Sequence, residues 1–261
     1  MRRRLRLLMA EDGQAAVETA IVVPTMMFFI LGKLQTTMMH QARLMLEYAA
    51  FNAARSGAVW NMDRDKMKTA AMFSLLPTTR AVDTIPRLAQ AGLNLAVANG
   101  VLGALGLPEI VTVDVLNPKE GAFSGKKEIE FDDPANREKT QLTVRVRYLY
   151  ELRIPFANWL LFESWWASHT GVNLAGWEPG HAMVKQSKLM LNRWKNGDFS
   201  ETCRYTGLNN QKMYLLRLAA NAGRYFVPMT TTYTIRMQSN PFLHHPEDSS
   251  ELWAGRNNDG C

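Results

Sequence analysis

A single carboxylate, Glu18, lies in a stretch that otherwise carries no charge from Ala15 up to Lys33. At the centre of a membrane a carboxylate costs about 2.5–3.5 kcal/mol, and less near the interface, so such a group calls for a cationic partner. Gly13 lies five residues before it. Cleavage after Gly13 would give Gln14 a new α-amino group, and this cation, on the same chain or a neighbouring one, could pair with Glu18. Such a pair between the Gln14 amine and Glu18 would offset the free energy of placing the carboxylate in the membrane.

The other residues that could do chemistry form no catalytic or metal-binding pattern. The histidines at 169, 181, 244 and 245 stand apart from any Cys or carboxylate at metal-ligand spacing. The sequence has no GxSxG, HExxH, Walker or GxGxxG motif. We therefore expect no enzyme, no cofactor and no bound metal.

The positive charge of the chain is concentrated at its start. The formal net charge is +6, and four arginines lie within the first six residues. Elsewhere the basic residues alternate with acidic ones, so no basic patch predicts a nucleic-acid partner. Arginines before an apolar stretch favour a helix with its N-terminus in the cytoplasm.

Residues 14–34 are apolar enough to cross a membrane, because about 20 such residues span the hydrocarbon core. A buried helix of a soluble protein and a cleaved secretory signal are the alternatives. No small-x-small cleavage site follows the apolar stretch, and the helical pattern continues beyond it. We predict a cytoplasmic leader at 1–13 and a membrane helix at 14–34.

The helix is predicted to continue as an amphipathic extension over 35–60. One face would carry apolar side chains spaced by three and four, and Arg43 and Glu47 would pair on the other face. The lower part of this helix is rich in small residues, which allow another helix to approach closely. Two alternatives stay open: packing on the chain's own domain, or lateral assembly with similar helices. The apolar face comprises Leu34, Met38, Ala42, Met45, Ala49 and Ala53, and the predicted packing residues are Pro24, Ala49, Ala50, Ala53, Ala54 and Gly57.

The arginine-rich leader, Gly13, Glu18 and the apolar helix together resemble the class III signal peptide of type IV pilins. The string AAVETAIVVP, with Pro24 inside the helix, and the string LMLEYAAFNAARSGA at 44–58 are similar to segments of TadE-like pseudopilins from tight-adherence (Tad) pilus systems. The resemblance implies cleavage after Gly13 by a prepilin peptidase and a place in the bacterial inner membrane, with the C-terminal domain in the periplasm. Its implied partners are other pilin or pseudopilin subunits, the peptidase and the inner-membrane assembly platform. Gln14 stands where ordinary pilins favour Phe, so its methylation is left open.

Residues 61–261 are predicted to form an extracytoplasmic α+β domain with a small antiparallel sheet packed on helices. Alternating side chains should place Val144, Val146, Tyr148 and Tyr150 on one face of a strand and Arg145 and Arg147 on the other. Helices are expected over 64–76, 84–99 and 209–226, and strands over 109–117, 143–153 and 229–237. The Gly-rich 100–106 should break the second helix, and 118–139 should be a polar loop.

Four tryptophans lie in residues 156–177, a segment that is almost free of basic residues. They are Trp159, Trp165, Trp166 and Trp177. Core packing is one interpretation. The other is a surface at the outer membrane–water interface, where Trp rings are favoured, or one that docks another subunit.

The chain has two cysteines, Cys203 in a polar stretch and Cys261 at the end of a tail that has little else to hold it. If both face an oxidising compartment, a bridge between them could persist. It would close a loop of about 60 residues and stabilise the fold by about 4 kcal/mol in the chain-entropy model. The alternative is a pair of unrelated thiols.

Two functions follow from these observations. The first is a TadE-like pseudopilin that acts in the assembly of a type IV-like pilus or a related secretion apparatus, and in adhesion. The second is a membrane-anchored binding or enzymatic domain unrelated to pili, in which the spacing of Gly13 and Glu18 is accidental.

Overall fold

The computed structural model describes residues 11–79, 83–170, 208, 210–244 and 252–255. Within these residues it has five α-helices and one three-stranded antiparallel sheet, which confirms the predicted α+β class. The elements are α1 (Glu11–Val59), α2 (Arg64–Thr79), α3 (Ile85–Ala104), β1 (Val111–Asn117), β2 (Gln141–Leu152), α4 (Ala157–Thr170), α5 (Asn210–Asn221) and β3 (Tyr225–Arg236).

The first helix, α1, is continuous over 49 residues and contains Pro24, as the sequence predicts. Its upper half is exposed, whereas its lower half is buried in the core of the domain. The predicted packing face is wrong at two positions, because Leu34 and Met45 are exposed. Gln35 and Leu46 take their places, and the helical repeat then runs from Gln35 through Ala42, Leu46, Ala49 and Ala53 to Gly57.

The sheet has the order β1-β2-β3, and β2 is its central strand. Val146 of β2 lies opposite Val113 of β1 and Thr231 of β3. The predicted alternation along β2 is confirmed, since its valines and tyrosines join the core cluster that contains the lower half of α1. Helix α1 packs across β2 and β3, and α2 packs beside α1 against β1. One face of the sheet is thus covered by a helical pair.

Two helix ends differ from the prediction. Helix α3 does not break at Gly100 but continues to Ala104, and α5 ends at Asn221, so that Tyr225 and Phe226 begin β3. Both helices end where a glycine takes a positive φ, at Gly106 (69°) and Gly223 (81°). In each case the amide of the glycine and the amide of the next residue donate to carbonyls of the last turn, in the pattern of a Schellman motif. Helix α2 also runs three residues past its predicted end, through Pro77.

The loop at 118–139 and the tail are more firmly attached than the sequence predicts. Phe123 and Ile129 of the loop are buried. In the tail, Trp253 and Ala254 are buried and Gly255 forms a parallel bridge with Lys119. Backbone pairing and buried apolar side chains therefore hold the tail at 252–255, which corrects the expectation that little holds it.

Strand β2 runs antiparallel to α1 and ends beside the middle of that helix. At the far end of the domain, the Gln238 amide donates to the Ala58 carbonyl (2.9 Å) and the Met237 amide donates to the Thr140 carbonyl (3.0 Å). At the near end, the chain that leaves β2 meets α1 at Gln35. The junction between the two halves of α1 therefore coincides with one end of the sheet.

Candidate functional site

The upper half of α1 is the first candidate functional surface, because its apolar side chains are exposed within the part of the chain that the structure describes. Large apolar residues from Val17 to Leu34 are exposed, and this helix is long and apolar enough to cross a membrane. The hydroxyls of Thr19 and Thr25 donate to carbonyls one turn earlier, each at 2.8 Å. Hydroxyls satisfied in this way are compatible with a hydrocarbon environment. The length of this segment, its exposed apolar side chains and its hydrogen-bonded hydroxyls are features typical of a membrane anchor.

The predicted processing residues lie in the first turns of this helix. Gly13 and Gln14 fall within α1, which begins at Glu11. Glu18 is exposed one turn after Gln14, so the two positions share a face of the helix. Residues 1–10, which include the arginines of the leader, lie outside the described residues.

Pro24 lies between Glu18 and the domain. Since proline has no amide hydrogen, one backbone hydrogen bond of the helix is missing there. Gly32 lies farther down, and a methyl group added to it would meet nothing within 4 Å. At Pro24 the exposed helix lacks one backbone hydrogen bond, and at Gly32 it has no side chain to keep a neighbouring helix at a distance.

The small residues Ala49, Ala50, Ala53, Ala54 and Gly57 are all buried against the chain's own domain. A Cβ atom on Gly57 would collide with the Met67 side chain and lie 2.8 Å from Cδ2 of Leu142. The close approach predicted from these residues is therefore made to α2 and β2. This is intrachain packing, the first of the two alternatives, and it leaves the upper half of α1 for contact with other molecules.

Gln35 is a functional residue that the sequence analysis missed. Its side chain is fully buried, and its Oε1 atom accepts hydrogen bonds from the amides of Arg153 (3.1 Å) and Ile154 (2.8 Å). The Arg153 guanidinium in turn donates to the carbonyls of Thr78 and Thr79 at the end of α2. One glutamine thus ties α1, β2 and α2 together at the point where the apolar span ends. Its position in the helical repeat of Ala42 and Ala49 was the available signal.

A groove of 430 Å³ lies on the outer side of α1 and α2. The Asn52 amide donates to the Ser74 hydroxyl at 2.8 Å, while Trp60 and Phe73 expose their rings. Among the described residues, those that line the groove are polar or apolar side chains and one arginine, without carboxylate, histidine or cysteine. Its lining residues are Asn52, Arg55, Ser56, Val59, Trp60, Ala70, Phe73 and Ser74.

The other face of the sheet carries a polar cluster that is structural in character. Asp114 accepts from Arg147 at 2.7 Å and from Arg145 at 3.4 Å. Burial lowers the pKa of Arg147 from its usual value, and the Asp114 carboxylate opposes that shift. The three side chains form an ion-pair cluster across β1 and β2. Within the described ranges, no group of three His, Cys, Asp or Glu side chains could hold a metal ion.

The tryptophan segment divides into a buried part and an exposed part. Phe162 and Trp166 stack at 5.9 Å, and Phe162 also contacts Tyr225 at the start of β3, which is core packing. Trp159, in contrast, is exposed. Trp177 lies outside the described residues, as do Cys203 and Cys261.

Residues 13–55 match the family model of TadE-like proteins. The matched segment begins at the proposed processing site and includes Glu18, the apolar span and most of the alanine-rich face. No curated protein and no solved structure matches the chain. The resemblance is therefore confirmed for this segment: residues 13–55 are TadE-like, and this family match suggests a Tad pilus-associated protein.

Proposed function

We propose that the chain is a minor pseudopilin of a Tad or type IV-like pilus, or of a related secretion apparatus, that acts in pilus assembly and adhesion. A prepilin peptidase would cleave it after Gly13, and α1 would anchor it in the inner membrane with the domain in the periplasm. The TadE-like match carries this proposal, because it starts at Gly13 and continues through an exposed apolar helix.

The exposed upper half of α1 is the surface by which the subunit would pack on other pilin or pseudopilin helices. The lower half is occupied by α2 and the sheet of the same chain, so its alanines are not available for this role. Lateral packing would then involve residues above Gln35, where Pro24 and Gly32 lie. In a membrane such contacts depend on close van der Waals packing and on polar pairs.

Glu18 supplies the polar pair in this proposal. After cleavage, the α-amino group of Gln14 would lie near one end of the span, on the same helical face as Glu18. Pairing with the Gln14 amine of a neighbouring subunit would offset the free energy of placing a carboxylate at the membrane boundary. The pair would thereby set the axial register between subunits.

The test is the N-terminus of the mature protein in its native host. Mass analysis of the purified chain should begin at Gln14, and Gly13→Leu should keep the leader. Gly32→Leu is the matched control, because it places the same side chain in open space on the same helix, and it should be processed normally. Recovery of Met1 from the wild type, or normal maturation of Gly13→Leu, would contradict the proposal.

The membrane topology is tested separately by adding protease to spheroplasts. The domain should be digested while the cytoplasmic leader of Gly13→Leu stays protected. A wild-type chain that keeps its leader and whose domain is nevertheless digested would favour the second function, a membrane-anchored domain unrelated to pili.

A further inference from the structure

The end of the domain nearest the apolar span exposes large apolar side chains that the fold does not use. Phe156 is 74% exposed, Trp159 is 52% exposed and Ile85 is 83% exposed. They come from two separate parts of the chain, the turn and helix that follow β2 and the first residue of α3. We name this set the aromatic end.

The depth of Phe156 relative to the span is fixed by Gln35. Leu34 is the last exposed apolar residue of the span, and Gln35 follows it directly. Gln35 binds the amide of Ile154, and two residues of chain reach at most about 7 Å, so Phe156 lies within that distance of Ile154. Each headgroup layer of a bilayer is about 5–8 Å thick. A bilayer that holds residues 14–34 therefore places Ile154 near its surface, and Phe156 lies within about 7 Å of that level, a distance comparable to the thickness of the headgroup layer.

Helix α3 brings Ile85 to the same level. Leu76, near the end of α2, packs with Ala91 and Leu95 of α3. Asn99, farther along α3, bonds Glu109, which pairs with Lys68 at the start of α2, so the two helices run antiparallel. The first residues of α3 therefore extend toward the end of α2 at Thr79, whose carbonyl accepts from Arg153. Ile85 thus lies on the membrane side of the domain.

The backbone at Phe156 is held in a conformation that a bulky residue rarely adopts. Its φ is 65°, in the left-handed region that favours glycine. This backbone conformation is strained, which destabilises the folded state. The exposure of the apolar ring to water is a second unfavourable contribution to its free energy. Contact with a lipid surface would remove the unfavourable exposure of the ring to water, because aromatic rings are favoured at the membrane–water interface.

We propose that the aromatic end rests in the outer headgroup layer of the bilayer that holds α1, so that the unassembled subunit contacts the membrane through its domain as well as its span. The cation of Arg153 lies at the same level and suits an anionic lipid surface. This inference depends on the anchoring by α1 in the proposed function, but not on processing or on pilus assembly.

The test uses the full chain in phosphatidylcholine vesicles whose acyl chains are brominated near the headgroup. Residues 14–34 contain no tryptophan, so bromine quenching of tryptophan fluorescence reports on the domain. The wild type should be quenched, and Trp159→Phe should lose most of that quenching. Trp60→Phe is the control, because Trp60 is 57% exposed at the opposite end of α1, and it should change nothing.

Phe156→Gly separates membrane contact from folding. Glycine adopts a positive φ without strain, so this variant should be at least as stable as the wild type in detergent, while the quenching of Trp159 falls. Unchanged quenching in both Trp159→Phe and Phe156→Gly would overturn the proposal.

Flotation of the vesicles keeps the two proposals distinguishable. A chain that floats without bromine quenching is anchored but keeps its aromatic end in water or against another subunit, which overturns this inference alone. A chain that does not float overturns the anchoring, and this inference with it.

Discussion

Asn99 connects α3 to the sheet, and its removal should destabilise the domain measurably. Its Nδ2 donates to the Val111 carbonyl (3.0 Å) and its Oδ1 accepts from the Val111 amide (2.9 Å). The amide side chain thus takes the place of a fourth strand at this edge position of β1. A further hydrogen bond joins Nδ2 to Glu109 at 3.0 Å. Asn99→Ala removes all three.

The expected loss in the free energy of unfolding follows from the backbone groups that Asn99→Ala leaves without a hydrogen-bond partner. Glu109 keeps its ion pair with Lys68 at 2.7 Å. The amide and carbonyl of Val111 lose their partners inside the fold, where the residue is fully buried. An orphaned buried polar group costs about 1–3 kcal/mol, so we expect the free energy of unfolding to fall by about 2–4 kcal/mol.

Urea unfolding of the full chain in detergent, followed by near-ultraviolet circular dichroism, measures this loss. The matched control is Asn94→Ala on the exposed side of the same helix, which should change the free energy of unfolding by less than about 0.5 kcal/mol. Hydrogen exchange at the Val111 amide should accelerate in Asn99→Ala only. Equal effects of the two substitutions, or a loss below about 1 kcal/mol for Asn99→Ala, would refute the assigned role.

Three further predictions concern other parts of the chain. Glu18→Ala should still be cleaved and inserted but should fail to assemble; normal pilus-dependent adhesion would count against the proposed pairing. Burial raises the pKa of Tyr148, so its contribution to stability is complete below the unfolded pKa of about 10 and is lost as pH rises through the folded value. The free energy of unfolding should therefore fall as the pH rises above about 10, and less in Tyr148→Phe. Non-reducing peptide mapping after alkylation should find Cys203 joined to Cys261, and two alkylated cysteines in periplasmic protein would exclude that bridge.

Periodicity predicted the elements whose apolar side chains face one side only. The alternation of β2 and the 3.6-residue repeat of α1 were both visible in the sequence, because burial on one face imposes a period. The sequence did not reveal the polar side chains that are buried and bond to backbone groups. Gln35 and Asn99 are buried because each satisfies backbone groups of a distant segment, and no local pattern reveals such a partner.

Helix ends were the least predictable feature for a related reason. Gly100 and Gly106 have the same local appearance, yet only Gly106 takes a positive φ and ends α3. Gly103 remains helical with Glu109 close by, where a Cβ atom would lie 2.8 Å from Oε1 of that residue. The choice between these glycines depends on tertiary contacts that a sequence window does not contain.

The hydrogen bonds of Gln35 have a consequence for how the subunit could fit among others. Because Gln35 joins α1 to the end of β2, the helix cannot rotate against the domain at that point without breaking two hydrogen bonds to the backbone of Arg153 and Ile154. The direction in which the upper half presents Glu18 is then fixed by the domain, apart from bending above Gln35. The residues that weaken the helix in that interval are Pro24 and Gly32. Any adjustment between a membrane-bound and an assembled subunit should therefore concentrate at these two residues, while the domain and the lower half of α1 move as one body.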